Sequence, residues 1–155
     1  MRQLPLAIGP APLKTFDNFV SGPNAAALAH LRTLSQHAGA PVYLWGASGS
    51  GKTHLLHALT RDIHAGWFDS TTPAPWSFDD AWTLIVFDGC EAFDDAQQQS
   101  AFALFIEAAL HGTPIAASGS VPPVDLPLRD DLRTRLGSGP VFAIAPLGEA
   151  DARTV

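Results

Sequence analysis

The stretch PVYLWGASGSGKTHLLHAL, residues 41–59, decides the fold of this 155-residue chain. Within it, residues 46–53 match the pattern G-x-x-x-x-G-K-[ST] in full. An apolar segment typical of a strand precedes the match, and apolar residues at helical spacing follow it. A loop of backbone N–H groups at a helix N-terminus binds phosphate oxygens, and its glycines let the backbone close around them. The sequence therefore predicts a strand, a phosphate-binding loop and a helix.

The end of this loop carries two side chains with separate roles. We expect Lys52 to reach the terminal phosphates of a bound nucleotide and Thr53 to offer its hydroxyl to Mg²⁺. The predicted phosphate-binding residues are Gly46, Ala47, Ser48, Gly49, Ser50, Gly51, Lys52 and Thr53. A Gly/Ser-rich turn that only opens a helix is the competing interpretation, and the flanking strand and helix count against it.

Composition and charge restrict the class of protein. The length suits one domain, and no apolar run approaches the roughly 20 residues of a membrane helix, so we predict a soluble protein with no membrane partner. A single cysteine, Cys90, and a start without a signal-peptide pattern are typical of a cytoplasmic protein. The 9 basic and 15 acidic residues give a net charge of -6. This balance disfavours direct sequence-specific DNA binding, which needs a basic face.

Strand-like and helix-like segments alternate along the rest of the chain. Strands are predicted over residues 41–45, 65–70, 82–88, 113–118 and 139–146. Helices are predicted over residues 25–38, with Asn24 as N-cap, and over 52–63, 94–112 and 126–136. The apolar residues expected to face the core are Leu55, Leu56, Leu59 and Ile63, and in the long helix Phe102, Phe105, Ile106 and Ala109. This alternation predicts an α/β fold with a five-stranded parallel sheet and helices on both faces.

One acidic residue, Asp88, ends the apolar segment LIVFD at 84–88. Nucleotide-binding proteins with a phosphate loop place at such a strand end the acid that holds Mg²⁺, and we predict that role for Asp88. A simple cap of the strand end is the alternative interpretation.

Three segments, in this order, resemble the AAA+ domain of bacterial replication initiators of the DnaA family. They are TFDNFVSGPN at 15–24, YLWGASGSGKTHLLHA at 43–58 and LRDDLRTRLGSG at 128–139. The resemblance covers nearly the whole chain and, within the family, favours the branch that inactivates the initiator. It implies a P-loop NTPase base domain over residues 16–147 that binds ADP or ATP together with Mg²⁺.

The resemblance also implies roles for residues outside the loop. Residues near the adenine would be Phe16, Asn18, Phe19 and Val20, and His54 would belong to the same nucleotide site. Ser118 would sense the γ-phosphate, although an ordinary strand-end hydroxyl fits the sequence equally well. Arg135 would be an arginine finger offered to the nucleotide of a neighbouring subunit. A guanidinium suits that role because it is always charged.

The residues around Arg135 leave a second interpretation open. Arg129 and Arg133 lie near it, together with Asp130 and Asp131. Such a group of opposite charges on a short helix also fits a solvated face that pairs with itself. The sequence assigns no role to Arg133.

Residues 1–15 are predicted to form a flexible or extended arm. The segment QLPLAI at 3–8 is similar to the peptide by which replication proteins dock on the DNA polymerase sliding clamp. An extended peptide places Leu4, Leu6 and Ile8 on one side, and Gln3 supplies a directional amide. An edge strand or a disordered tail would have the same sequence.

The chain departs from the family pattern at three places. Gly89 stands where a second acid would position the attacking water, and Glu91, two residues further, need not point to the same place. Gly119 follows Ser118 where the family usually has Asp. Residues 148–155 are predicted to be only the start of a lid helix, so we expect the C-terminal helical lid to be absent.

Together these features predict a nucleotide-binding regulator of chromosomal replication initiation. It would dock on the sliding clamp, present Arg135 to ATP held by the initiator DnaA, and promote hydrolysis in that partner. A homo-oligomer is a further option. Weak or no hydrolysis is expected in its own site because of Gly89. The alternative is an autonomous AAA+ ATPase of the initiator or helicase-loader type that acts on DNA.

Overall fold

A five-stranded sheet lies at the centre of the chain. The computed structural model describes residues 24–33, 40–47 and 51–145. The strands are β1 (Val42–Trp45), β2 (Ala65–Phe68), β3 (Leu84–Phe87), β4 (Ile115–Gly119) and β5 (Val141–Ala143). They lie in the order β2-β3-β4-β1-β5, and every neighbouring pair is parallel. The predicted five-stranded parallel sheet is confirmed.

Helices cover both faces of this sheet. They are α1 (Ala25–Arg32), α2 (Lys52–Thr60), α3 (Asp95–His111) and α4 (Asp130–Leu136). Successive β1 residues point to opposite faces: Val42 and Leu44 pack in one core cluster with α1 and α2, and Tyr43 packs in the other with α3 and α4. None of the helices in the described ranges has the length and apolar content needed to span a membrane.

The interior position of β3, between β2 and β4, explains its continuous apolar sequence. All four of its residues, Leu84 to Phe87, are buried. A strand covered on both faces needs no polar alternation, because neither row of side chains meets water. The chain then leaves the sheet at Asp88.

The long helix α3 is defined by signals at both ends. The Asp94 side chain accepts a bond from the Gln97 backbone N–H, and the Gln97 side chain accepts one from the Asp94 N–H, which completes a capping box. Gly112 ends the helix with φ 69°, a left-handed conformation that favours glycine.

The core face of α3 was predicted only in part. Phe105 is buried, but Ile106 is 38% exposed and Ala109 lies outside the core. The buried row is instead Ala101, Leu104, Phe105 and Ala108. The apolar residues of α3 form two adjacent rows, and Gln97 and Gln98, which are also buried, hydrogen-bond to neighbouring backbone. Phe102 is half-buried at the edge.

Three helix ends also differ from the sequence prediction. Helix α4 begins at Asp130 and not at residue 126. Helix α2 ends at Thr60, whose hydroxyl bonds to the carbonyls of Leu56 and His57, so Ile63 lies beyond the helix and is 44% exposed. Asn24 precedes α1 as predicted but makes no side-chain cap bond. Its amide instead exchanges two hydrogen bonds with the Ala145 backbone, beyond β5. The predicted residues 34–38 of α1 lie outside the described residues.

Candidate functional site

The predicted phosphate loop leads from β1 into α2. Gly51 has φ 102° immediately before the helix, a backbone conformation that glycine adopts without steric cost. Lys52 is the first helical residue, and its Nζ donates to the carbonyl oxygens of Gly46, at 2.5 Å, and Ala47, at 3.0 Å. The ammonium group therefore lies over the first residues of the loop, where phosphate oxygens would meet it.

Residues from three elements meet beside this lysine. The Thr53 hydroxyl donates to the Asp88 carboxylate, with distances of 3.1 Å to Oδ2 and 3.3 Å to Oδ1. The Ser118 hydroxyl, at the end of β4, donates to Asp88 Oδ1 at 2.7 Å. Ser118 Oγ in turn accepts from the Gly89 N–H at 3.0 Å. Parallel strands end at the same edge of the sheet, which is why residues distant in sequence meet here.

A cavity of about 390 Å³ opens onto this cluster. Its lining consists of Gly51, Lys52, Thr53, His54, Asp88, Gly89, Glu91, Ser118 and Ser120. The structure thus brings together the predicted phosphate-binding lysine, the predicted Mg²⁺ residues and the predicted sensor serine. The Ser118 hydroxyl contacts Asp88 directly, and its role as a γ-phosphate sensor stays a prediction.

The Lys52 ammonium group in the cavity is partly shielded from water. Burial lowers the pKa of the Lys52 ammonium, and the nearby Glu91 and Asp88 carboxylates oppose that shift. A partly desolvated cation attracts an anionic ligand more strongly than one in bulk water. The cavity therefore offers one cation for phosphate beside carboxylates suited to a metal ion.

The oxygen atoms of Thr53 and Asp88 fit a Mg²⁺ ion. Magnesium prefers hard oxygen ligands and usually takes one or two from protein, with water and substrate phosphates supplying the rest. No group of three or more His, Cys, Asp or Glu side chains suited to a metal ion occurs among residues 24–33, 40–47 and 51–145. A hydroxyl and one carboxylate are thus a donor set for a metal bound together with a nucleotide.

Arg135 lies outside the cavity. Its guanidinium packs over the Phe102 ring, 5.5 Å from the centroid. Arg129 pairs with Asp131 at 2.7 Å, and Arg133 pairs with Asp130. Within the part of the chain that the structure describes, no carboxylate pairs with Arg135. The self-paired interpretation therefore holds for Arg129 and Arg133 but not for Arg135.

Three residues that line the cavity were not among the predicted site residues: Gly89, Glu91 and Ser120. Glu91 lines the cavity, and its Oε1 accepts a hydrogen bond from the Ser120 N–H at 3.1 Å. The sequence signal was an acid three positions after Asp88, but sequence spacing does not tell which way a side chain points after a strand ends. The turn that follows β3 decides this orientation.

Several predicted site residues lie outside the described residues. They are Ser48, Gly49 and Ser50 of the loop, Phe16, Asn18, Phe19 and Val20 near the expected adenine position, and Gln3, Leu4, Leu6 and Ile8 of the expected clamp peptide. Their roles stay predictions, as do the domain boundaries at residues 15 and 147.

Comparison with known proteins supports the fold assignment. A sequence model described as the bacterial DnaA ATPase domain matches residues 11–70. Domain III of the Thermotoga maritima replication initiation protein DnaA superimposes with a TM-score of 0.76 at 22% identity, over 93% of this chain and 72% of that chain. A DNA replication initiation factor superimposes with a TM-score of 0.77 at 20% identity, over 93% and 53%. The chain has the AAA+ P-loop fold.

A further similar structure contains bound ligands. The replication initiator DnaA bound to AMPPCP and single-stranded DNA superimposes with a TM-score of 0.72 at 20% identity, over 86% of this chain and 50% of that chain. This chain thus spans about half the length of this initiator and of the replication initiation factor. At these identities the similarity establishes the fold.

Proposed function

We propose that this chain is a nucleotide-binding regulator of chromosomal replication initiation, of the type represented by Hda, the regulatory inactivator of DnaA. The observation that carries the proposal is the cluster of Lys52, Thr53, Asp88 and Ser118 around one cavity at the phosphate loop. The match of residues 11–70 to the DnaA ATPase domain and the fold shared with replication initiators support the replication context.

The loop and its helix would bind the phosphates of ADP or ATP. Backbone N–H groups at the start of α2 point toward the cavity end of the helix and favour negative charge there. On binding, Lys52 exchanges its bonds with the Gly46 and Ala47 carbonyls for bonds with phosphate oxygens. AMPPCP in one structural relative is an ATP analogue and supports a nucleoside triphosphate as a ligand.

Thr53 and Asp88 would hold Mg²⁺ beside the phosphates, and Ser118 would orient the Asp88 carboxylate through its 2.7 Å hydrogen bond. A bound Mg²⁺ supplies neutralisation of phosphate charge. The protein's part is to keep these oxygen atoms in place and to hold the Gly89 backbone through Ser118.

Calorimetric titration with ADP and ATP in Mg²⁺ tests the nucleotide site. We expect micromolar binding, and Lys52→Ala to weaken it at least about tenfold, because a hydrogen bond to a charged group contributes about 1.5–3 kcal/mol. Lys14→Ala, at the only other lysine of the sequence, is the matched control and should bind normally. Equal affinity of Lys52→Ala and the unchanged chain would refute the site.

The regulatory action would be exerted on a partner. Arg135 lies outside the chain's own cavity and has no carboxylate partner among the described residues, as expected of a guanidinium that serves a neighbouring nucleotide. It would stabilise the charge that develops when ATP bound to DnaA is hydrolysed. The segment at residues 3–8 would bring the chain to the sliding clamp on DNA, and the chain would act in the cytoplasm.

A reconstituted assay with DnaA, ATP and clamp-loaded DNA tests this action. Arg135→Ala should remove most of the stimulation, since arginine fingers contribute about 10³–10⁵ in rate. Arg129→Ala is the matched control, because that arginine pairs with Asp131 and should be dispensable. A Leu4→Ala/Leu6→Ala variant should lose clamp binding but keep nucleotide binding. Full stimulation by Arg135→Ala would overturn the finger assignment.

The second candidate is an autonomous AAA+ ATPase that acts on DNA. The fold shared with an initiator bound to single-stranded DNA favours it, whereas the net charge of -6 counts against it. Turnover by the chain alone that rises when DNA is added would support this candidate over the regulator.

A further inference from the structure

The nucleotide cavity contains a second carboxylate that could act on water. Hydrolysis of a phosphoanhydride needs a group that orients the attacking water. Asp88 is engaged by the hydroxyls of Thr53 and Ser118, and Gly89 has no side chain. Among the residues that line the cavity, Glu91 is the other carboxylate.

The backbone after β3 turns Glu91 into the cavity. Gly89 has φ 67°, in the left-handed region, and a short 3₁₀ turn, Cys90–Ala92, follows it. Cys90 is 1% exposed and packs in the core, so the next side chain leaves on the other side of the turn. Gly89 therefore has no carboxylate of its own, but its left-handed backbone forms the turn that directs the Glu91 carboxylate into the cavity.

The Glu91 carboxylate is held at one oxygen and open at the other. Oε1 accepts from the Ser120 N–H at 3.1 Å, just beyond β4. No hydrogen bond to Oε2 comes from the described part of the chain, and this oxygen is not a buried, unsatisfied atom. A carboxylate anchored through one oxygen can accept a water proton at the second without losing its position.

Gly119 lies beside Glu91 at the end of β4, where the fold leaves no room for a side chain. A Cβ on Gly119 would collide with the Tyr43 hydroxyl oxygen and lie 3.1 Å from Glu91 Oε1. The Tyr43 hydroxyl is itself fixed by its 2.8 Å bond to the Val121 carbonyl. Position 119 therefore has no room for a side chain. The carboxylate that lies near this end of β4 is that of Glu91.

We propose that Glu91 is the carboxylate that orients and deprotonates the water attacking the terminal phosphorus of a nucleoside triphosphate in this chain's own site. The water oxygen forms a bond to the γ-phosphorus, and the bond to the bridging oxygen breaks, leaving its electron pair on the diphosphate. The water proton passes to Glu91 and then to solvent. The products are the nucleoside diphosphate and inorganic phosphate. This inference rests on the proposed nucleotide binding and adds slow hydrolysis to it.

The test compares the full chain with Glu91→Gln under single-turnover conditions with ATP and Mg²⁺. The substitution removes the base but keeps an oxygen for the Ser120 N–H. We expect the hydrolysis rate to fall about 10²–10⁴-fold. The ATP dissociation constant should change by less than about threefold, because the group acts on water and not on the nucleotide. Nucleotide recovered from the isolated complex should remain ATP in the variant and become ADP in the unchanged chain.

Glu107→Gln is the matched control, since Glu107 is exposed on α3 and does not line the cavity. Glu91→Asp, which shortens the carboxylate by one methylene, serves if the amide variant does not fold, and an intermediate rate supports the proposal. Equal rates for Glu91→Gln and the unchanged chain would overturn it. So would ATP binding by the unchanged chain without any turnover, and that result leaves the proposed nucleotide site intact. Absence of binding itself would refute both.

Discussion

At the scale of single residues, Gly119 is a position where space alone decides which residue is allowed. A Cβ there would collide with the Tyr43 hydroxyl, whose oxygen is buried and hydrogen-bonded. We expect Gly119→Ala to lower the free energy of unfolding by about 1–3 kcal/mol, the usual cost of overpacking a core. Urea denaturation measures the change, and Gly137→Ala, whose Cβ would approach Pro123 at 3.3 Å, is a milder control.

The Tyr43→Phe background gives a stricter check of the same contact. Without the hydroxyl, the nearest Tyr43 atom to the added Cβ is the ring carbon Cζ at 3.1 Å. Gly119→Ala should therefore cost less in that background than in the unchanged chain, a coupling expected of residues in direct contact. Strictly additive effects would show that the hydroxyl is not the obstacle.

Asp69 is a residue with a pH-dependent contribution to stability. Its carboxylate accepts from the Thr71 hydroxyl, the Thr71 backbone N–H and the Trp67 ring, and these bonds hold its pKa below the ordinary 3.8. A lowered folded-state pKa adds stability above the unfolded value, which is lost as pH falls through the folded value. We expect Asp69→Asn to be destabilised at pH 7 and to approach the unchanged chain below pH 3.8 in thermal melts. A pH-independent difference would contradict this.

At the scale of secondary structure, the capping box of α3 is the local signal with the clearest energetic consequence. Asp94 satisfies the Gln97 N–H, which is one of the free donors at the helix start. Asp94→Ala should cost about 0.5–2 kcal/mol of stability in urea denaturation. Asp95→Ala, one residue into the helix and exposed, removes a similar charge but no capping bond, and it should cost less. Equal costs would mean that charge and not the cap determines the effect.

At the scale of the whole molecule, Asn24 joins the start of the described chain to its end. Its side chain accepts from the Ala145 N–H at 2.8 Å and donates to the Ala145 carbonyl at 3.3 Å, and the residue is 1% exposed. Asn24→Ala should cost about 1–3 kcal/mol, because a backbone donor and acceptor near the core lose their partners. Thermal denaturation measures this. Ser138→Ala, which removes only a local bond to the Arg135 carbonyl, should cost less.

Features that depend on residues close together in the sequence were easier to predict than features that depend on residues far apart. The strands, the helix that begins at Lys52 and the meeting of Asp88 with Thr53 beside it follow from contiguous patterns and from the rule that parallel strands end at one edge. The inward row of α3 could not be chosen from periodicity, because apolar residues occupy two adjacent rows. The role of Asn24 was missed because its partner lies 121 residues away.

The sequence by itself determined the succession of strands and helices, including the strand and helix that flank the predicted phosphate loop, and the residues that meet at the start of α2, because these depend on local spacing and short-range sterics. The tertiary structure alone decided the strand order, the pairing of Asn24 with Ala145 and the entry of Glu91 into the cavity. Each of these depends on the position of a neighbour distant in sequence or on the direction of a turn. For Glu91, the deciding contact is with the backbone N–H of Ser120, which lies just after β4, whereas Glu91 lies just after β3.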